Sequence, residues 1–510
     1  MATAATTAGK AMFDVPRRGL LMVGIMLATV MQILDSTIAN VALPHMQTSL
    51  GASYDTVTWV LTSYILASAI AMPLTGWLSD RIGSRRLFLG SVGGFIVASM
   101  LCGIATNLPA MVAFRVAQGI SAAFVGPLSQ TVMLDINPPE RHAKAMSLWG
   151  MGVMIGPILG PILGGWLTDN YSWRWVFYIN LPIGLVTLAI LVAWLPSRPV
   201  RPRAFDLFGF AMLALGLAAL QLMLDRGQQA DWFDAWEIRV EAALAVAGLW
   251  LFAVHMATGR RTMFERAMLA NRNLLIGMVF MVQIGVMMMA MMALLPPMLQ
   301  MLYGYPVFDT GVLLAPRGVG ILIAMFIAGQ LVQRGHDPRI IVGAGMTIAA
   351  LSLWQMTHWS LDMDWRPVVA NGFVQGLGMG LVFPPMNALS FATLAPRFRT
   401  DAASLLYLTR SLGGSAGIAV LIALFGTNLQ TSHADLVQHV TGFSLSQVDP
   451  GMAQQLGAPG AAVLAAVDAE ITRQAMMIAY LDDFAAMMWF AIASVPLVLL
   501  LRRRPAGLAG

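Results

Sequence analysis

Fourteen stretches of roughly 20 apolar residues run the length of the chain, and nothing else restricts its fold as tightly. A helix needs about that many residues to cross some 30 Å of hydrocarbon, where every backbone N–H and C=O must find its partner within the segment. The stretches lie near 19–43, 56–77, 87–105, 109–133, 143–167, 173–195 and 205–224. They continue near 236–256, 272–299, 310–332, 340–359, 366–392, 402–428 and 480–501. The expected fold is therefore an all-α polytopic membrane protein. Composition agrees, with 58% hydrophobic and 11% charged residues against about 25% charged in soluble domains.

Other chemistries are poorly represented. A formal charge of +5 does not point to nucleic acid. Cys102 is the sole cysteine, so no intramolecular disulfide is expected, and the seven histidines lack ligand spacing. Neither a metal nor a cofactor is expected. No GxxxxGK[ST] stretch is present, which argues against direct ATP use. Residues 1–18 read as a polar leader without a convincing cleavage site.

Lysine and arginine give the direction. Twenty-two of the thirty fall in the leader, the tail at 502–510 and alternate loops, including Arg81, Arg141, Lys144, Arg198, Arg203 and Arg260. Five occupy the opposite loops: Arg174, Arg226, Arg239, Arg366 and Arg473. The positive-inside rule then puts both termini in the cytoplasm. One loop on the other side, 429–478, is long and acidic, and its last part, "AAVLAAVDAEITRQAMMIAY", reads as helix continuing into the final span.

The chain also repeats. Shifted by 253 residues, positions 44–90 give twelve identities in 47, among them Pro44/Pro297, Gly76/Gly329, Arg81/Arg334 and Arg86/Arg339. A shift of 257 pairs Gln118/Gln375, Gly119/Gly376, Gly156/Gly413 and Gly160/Gly417. The first span matches the ninth, so the halves are parallel repeats. The expected layout is a six-helix bundle over 19–195, an inserted helix pair over 196–260 and a second six-helix bundle over 261–501. Parallel halves of this kind form the major facilitator architecture, with the substrate site between them near the midplane.

Residues present in one half only are the functional candidates. Asp35 has Met288 as its counterpart, and Arg115 has Gly372. Asp35 lies eight residues from the outer end of its predicted span and Arg115 six, or about 12 and 9 Å at 1.5 Å per residue. A carboxylate at that depth is costly, and buried ions pair. A structural salt bridge is one reading. The other is a proton carrier: burial favours the neutral acid and a nearby cation the charged one, so a change of surroundings loads or unloads a proton.

Four motifs complete the reading. "LDSTIANVALP" (34–44), "GWLSDRIGSRR" (76–86), "RVAQG" (115–119) and "GPILGPILGG" (156–165) together resemble the signatures of the fourteen-span drug:proton antiporters (DHA2) of the major facilitator superfamily. "RWVFYINLPIG" (174–184) and "QLMLDRGQQADWF" (221–233) narrow the resemblance to EmrB-type permeases. It extends over essentially the whole chain. One departure is Ser84, where the family has a basic residue after the glycine.

The resemblance implies a proton-driven exporter of drugs in a bacterial inner membrane. It implies a proton-coupling pair at Asp35 and Arg115, and a gating motif at Gly76, Asp80, Arg81, Gly83, Arg85 and Arg86. On the fifth span it implies an antiporter motif, a bendable seam between the halves, at Gly152, Gly156, Pro157, Gly160, Pro161, Gly164 and Gly165. A periplasmic adaptor and an outer-membrane channel are the implied partners. From the residues themselves, topology anchoring explains the gating motif and helix packing the glycines equally well. Gln32, Asn40, Gln118, Gln283, Arg317, Gln375 and Asn387 are polar groups within spans that line a cavity or cross-link helices. Arg410 is placed near a span end, where it can snorkel, and Asp482 and Asp483 at the outer edge of the last span. Two rivals stay open: a symporter or exporter of one metabolite, such as a fatty acid or siderophore, and a membrane-embedded enzyme. The enzyme would need clustered catalytic groups, and the sequence offers none.

Overall fold

The computed structural model describes residues 11–201, 203–439 and 461–502. Among them are fourteen helices of membrane-crossing length. The first six are α1 (Arg18–Ser49), α2 (Trp59–Ile82), α3 (Ser84–Ile104), α4 (Leu108–Asp135), α5 (Pro139–Asn170) and α6 (Trp175–Trp194). An inserted pair follows, α7 (Leu207–Arg226) and α8 (Trp236–Thr258). The last six are α9 (Arg272–Met301), α10 (Phe308–Gln333), α11 (Pro338–Met356), α12 (Trp365–Ala392), α13 (Pro396–Gln438) and α14 (Ala465–Leu500). Their number and order match the sequence expectation, and no strand occurs among the described residues.

Local chemistry sets several boundaries. Asn107, Asp206 and Asn271 accept hydrogen bonds from the first free N–H groups of α4, α7 and α9, as side-chain oxygens do at helix starts. Gly83 ends α2 at φ +92°, a left-handed conformation that side chains rarely tolerate, and turns the chain directly into α3. The repeat reappears as packing. Gly119 of α4 abuts the Tyr64 carbonyl of α2, and its repeat partner Gly376 of α12 abuts the Arg317 carbonyl of α10. Tyr64 and Arg317 are themselves related by the 253-residue shift.

The inserted pair bridges the halves. Helix α7 packs on α2 and on α13, and Gln221 donates to the Ser415 hydroxyl at 3.0 Å. Helix α8 leans on α7 where Gly216 and Gly248 let the backbones meet, and it is the least buried of the fourteen. The halves themselves touch mainly where α13 meets α4 and the Met72–Leu74 turn of α2, and where α5 meets α10 and α12. Both described chain ends lie at one end of the bundle: Phe13 N–H donates to Asp135 O, and Asn273 brackets Arg502. That end, which also carries Arg198, Arg203 and Arg399, is called the basic end below.

The segment 429–478 differs from a simple loop. Helix α13 continues to Gln438, ten residues beyond its predicted end, and a single helix runs from Ala461 to Ser494. His433 on one meets Asp468 on the other at 3.2 Å. Residues 440–460 lie outside the described residues.

Candidate functional site

Asp35 sits near the middle of α1 and is fully buried. Its Oδ2 accepts from Arg115 Nη1 at 2.7 Å, and its Oδ1 accepts from Gln118 Nε2 at 2.9 Å and Asn180 Nδ2 at 2.7 Å. Each donor is itself held. Arg115 Nε donates to the Val60 carbonyl at 2.9 Å, and Nη1 also donates to Gln118 Oε1. Asn180 donates to Ser99, whose hydroxyl donates to the Phe177 carbonyl. The Tyr64 ring lies 4.2 Å from the guanidinium carbon. An apolar shell including Leu34, Ile38, Val60, Cys102 and Phe177 surrounds the pair. The arrangement combines a titratable carboxyl with a fixed cation in a fully buried site, which is what proton exchange or a rigid strut both require. All its members belong to the N-terminal half, so Asp35 faces the interior of its own bundle and not the space between halves.

At the basic end, two arginines of the connection between α6 and α7 join the halves. Arg198 grips Asp135 of α4 through Nε (2.6 Å) and Nη2 (2.7 Å) and donates to Thr400 of α13. Arg399 of α13 reaches the same Asp135 at 2.9 Å. Arg203 takes Asp401 of α13 through two bonds of 2.9 and 3.1 Å and lies 3.4 Å from Asp80 of α2. Burial opposes the Arg203 charge, but Asp401 and then Asp80 outweigh it and hold the guanidinium above its ordinary value. Gly76 is required here: a Cβ on it would fall 1.6 Å from Asp401 Oδ1. The Ser84 departure also fits, since its buried hydroxyl accepts the Arg198 N–H at 3.1 Å. Of the remaining motif arginines, Arg81 stacks on Trp77 and Arg85 donates to the Val192 carbonyl.

The glycines of α5 are placed differently from the sequence expectation. Gly152, Gly156, Gly160 and Gly164 face Met26, Ile33, Thr37 and Ile38 of α1, inside the N-terminal bundle, and not the opposite half. Pro157 and Pro161 lie within this unbroken helix, and Gly165 meets nothing within 4 Å. Helix α5 reaches the C-terminal half through another face, where Ser147 meets Gly329 and Ile158 meets Gly318.

The polar groups offered as cavity residues disperse. Gln118 joins the Asp35 network. Gln283 ties α9 to the Phe490 carbonyl of α14, and Gln375 is buried near Met356 in the C-terminal bundle. Gln32 is buried beside Tyr64, and Asn40 is exposed. Asn387 does reach the interface between halves, where it accepts a short hydrogen bond from Gln130, its own counterpart in the repeat. Arg410 does not snorkel: its guanidinium lies over Tyr407 (4.3 Å) and Phe383 (5.6 Å) at that interface. The reason is that the aromatic faces hold the cation inside. Asp483 is likewise buried and not at an exposed edge, and its carboxylate has no hydrogen-bond partner among the described residues.

Residues 25–418 match the family described as "Major Facilitator Superfamily". The multidrug export protein EmrB of Escherichia coli K12 is 35% identical over 427 residues, 83% of each chain. The chain belongs to the major facilitator superfamily, among its EmrB-type permeases. It is also 34% identical to the fatty acid resistance protein FarB of Neisseria gonorrhoeae over 92% of this chain and 94% of that one. A crystal structure of the human organic anion transporter MFSD10 shares the fold, with a TM-score of 0.58 at 16% identity over 93% of this chain and 99% of that one. A double-tryptophan mutant of XylE gives a TM-score of 0.59 at 13% identity, covering 96% and 99%.

The permease is thus a multi-pass membrane transporter and not an enzyme. Several of its site residues were not singled out from sequence. Asn180 falls inside "RWVFYINLPIG", and an asparagine in an apolar run is itself a signal. Ser99, Asp135 and Asp401 had no such mark. Arg198 and Arg203 were read as topology anchors.

Proposed function

We propose that this permease exports hydrophobic and amphipathic compounds, drugs among them, across a bacterial inner membrane in exchange for protons. The observation that carries the reading is Asp35, an ionisable group within a span, fully buried and held by Arg115, Gln118 and Asn180. Intramembrane acids with such partners mark proton pathways in pumps and transporters. The printed activities of relatives, multidrug export and fatty acid resistance, support outward transport of apolar cargo.

In this reading the basic end is cytoplasmic, as the arginine distribution favours. Cargo enters between the halves from the cytoplasm or inner leaflet. The halves rock, the arginine contacts of the basic end close behind it, and the cargo leaves on the other side. Protonation of Asp35 from outside loosens its hold on Arg115 and lets the permease return. Each charge moved down the membrane potential supplies about 2.3 kcal/mol per 100 mV. A periplasmic adaptor and an outer-membrane channel complete the route, and the 429–478 segment and the α7–α8 pair are the surfaces proposed for the adaptor.

The test is transport of a hydrophobic panel by wild type and Asp35→Asn in inverted vesicles, with and without a pH gradient. Wild type should release protons on addition of cargo, and the variant should lose the gradient-dependent part. Proton-driven loss of vesicle contents would instead indicate symport. Gradient-dependent transport by Asp35→Asn at the normal rate would overturn the coupling assignment.

A further inference from the structure

We propose that the C-terminal half carries the receiving site for the charged head of the cargo, formed by Arg410 with Arg317, and that the cargo it selects is an amphipathic organic acid. The proposal rests on the export reading and names its substrate class. Arg317 is ten residues into the helix that starts at Val307, and Arg410 eleven into the one that starts at Arg399. At 1.5 Å per residue each is about 15 Å from that helix end, inside the apolar stretch of its span.

An arginine at that depth is ordinarily paired, and Arg115 shows how this chain does it. The two C-terminal arginines have no such partner among the described residues. Arg317 makes one long hydrogen bond, 3.4 Å to the Met287 carbonyl, and its buried Nε has no acceptor. Arg410 is held by aromatic faces alone. The acids buried in the C-terminal half are elsewhere. Asp401 is occupied by Arg203 at the basic end, and Asp483, midway along α14, accepts no hydrogen bond from either arginine.

The surroundings suit a ligand with an anionic head and an apolar body. Gln130, Trp149, Phe383, Asn387 and Tyr407 line a residual cavity of about 10 Å³ with Arg410, at the contact between halves. Trp149 and Phe383 stack at 6.1 Å across that contact, so rocking of the halves opens an aromatic slot directly beside the guanidinium. One stretch of α9 runs beside both residues: Gly285 abuts the Arg410 backbone, and the Met287 carbonyl accepts from Arg317. A guanidinium fork matches a carboxylate in two parallel bonds. The repeat adds an independent argument. The first-half counterparts are Tyr64 and Val153, so the shared scaffold does not need either arginine.

The experiment measures binding to the full-length permease in nanodiscs, using dansyl-undecanoic acid, its primary amide and a quaternary ammonium of similar size. At pH 8 wild type should bind the acid at least tenfold more tightly than the amide, and the ammonium most weakly. Arg410→Gln and Arg317→Gln should each cut the acid-to-amide ratio to below threefold, mainly by weakening the acid. Arg410→Lys, which keeps charge without the fork, should fall between and guards against misfolding. Equal affinity for acid and amide in wild type, preference for the ammonium, or an undiminished ratio in both glutamine variants would overturn the proposal. The export reading is judged separately. Gradient-driven transport of cationic cargo alone would leave that reading standing and remove this one; selective acid binding without any gradient-driven transport would do the reverse.

Discussion

Asp35 and Arg115 hold each other in place at zero exposure, and taking one away strands the other. Breaking a buried pair from one side typically costs about 3–5 kcal/mol, whereas replacing both charges with neutral groups of similar shape is often close to neutral. Arg115→Met should therefore lower stability by roughly that amount, read as an earlier loss of monodisperse protein on heating in detergent. The double variant Asp35→Asn with Arg115→Gln should regain most of it. A strut and a proton carrier then separate. If the pair is only structural, the stable double variant transports with its pH-gradient dependence intact. Proton coupling predicts a folded, well-expressed permease whose transport no longer responds to the gradient. The partner was readable from sequence, because both charges are absent from the other half. The rest of the cage was not: Asn180 and Ser99 meet Asp35 only through the crossing of α6 and α3, and a single neutral polar residue in an apolar span carries no directional information.

Helix α5 teaches a related lesson one level up. A glycine every fourth residue announces a close helix contact, but periodicity leaves the rotation of the helix undetermined. It was the fold that turned the stripe onto α1 and gave the contact with the other half to Ile158 and Ser147. The same choice recurs in the second half, where Gly413 and Gly417 of α13 close on Val282 and Val286 of α9. The stripe is therefore tuned for packing between specific pairs. A Cβ on Gly160 would lie 2.1 Å from Thr37 Oγ1, and one on Gly165 would meet nothing. Gly160→Ala should destabilise by about 1–3 kcal/mol, the usual cost of overpacking, and Gly165→Ala should be neutral by the same thermal assay. Thr37→Ala combined with Gly160→Ala should recover part of the loss, because it removes the hydroxyl but keeps the Thr37 Cβ, 2.7 Å from the added methyl group. A double variant no better than the single one would mean that the α1 and α5 backbones and the Thr37 Cβ, and not its hydroxyl, set the spacing.

The number of spans, the two parallel halves and the inserted pair were all readable at the scale of the whole molecule, because hydrocarbon thickness sets segment length and the repeat sets symmetry. The closure of the basic end was not. It depends on Arg198 and Arg203 reaching acids on two different helices, and Arg203 and Asp401 are 198 residues apart in sequence. In sequence such arginines look the same as any that anchor a loop at a membrane surface. Their geometry makes a specific claim about the equilibrium between states. Hydrogen bonds to charged groups are worth about 1.5–3 kcal/mol each, so losing the paired bonds of Arg203 should remove about 3 kcal/mol from the closed form. That shifts the open-to-closed ratio roughly a hundredfold. The buried Cys102 leaves a low labelling background, so a cysteine at Leu406, buried against the central contact, can report opening. In inverted vesicles, maleimide labelling of Leu406→Cys should accelerate at least tenfold when Arg203→Ala is added. Gly76→Ala should act in the same direction without removing any charge, since its methyl group displaces the Asp401 carboxylate. Two unrelated changes, one deleting the cation and one pushing away its anion, would then produce one phenotype. Unchanged labelling in both would mean that the helix contacts of α13 with α2 and α4 close this end by themselves, and that the arginines merely decorate it.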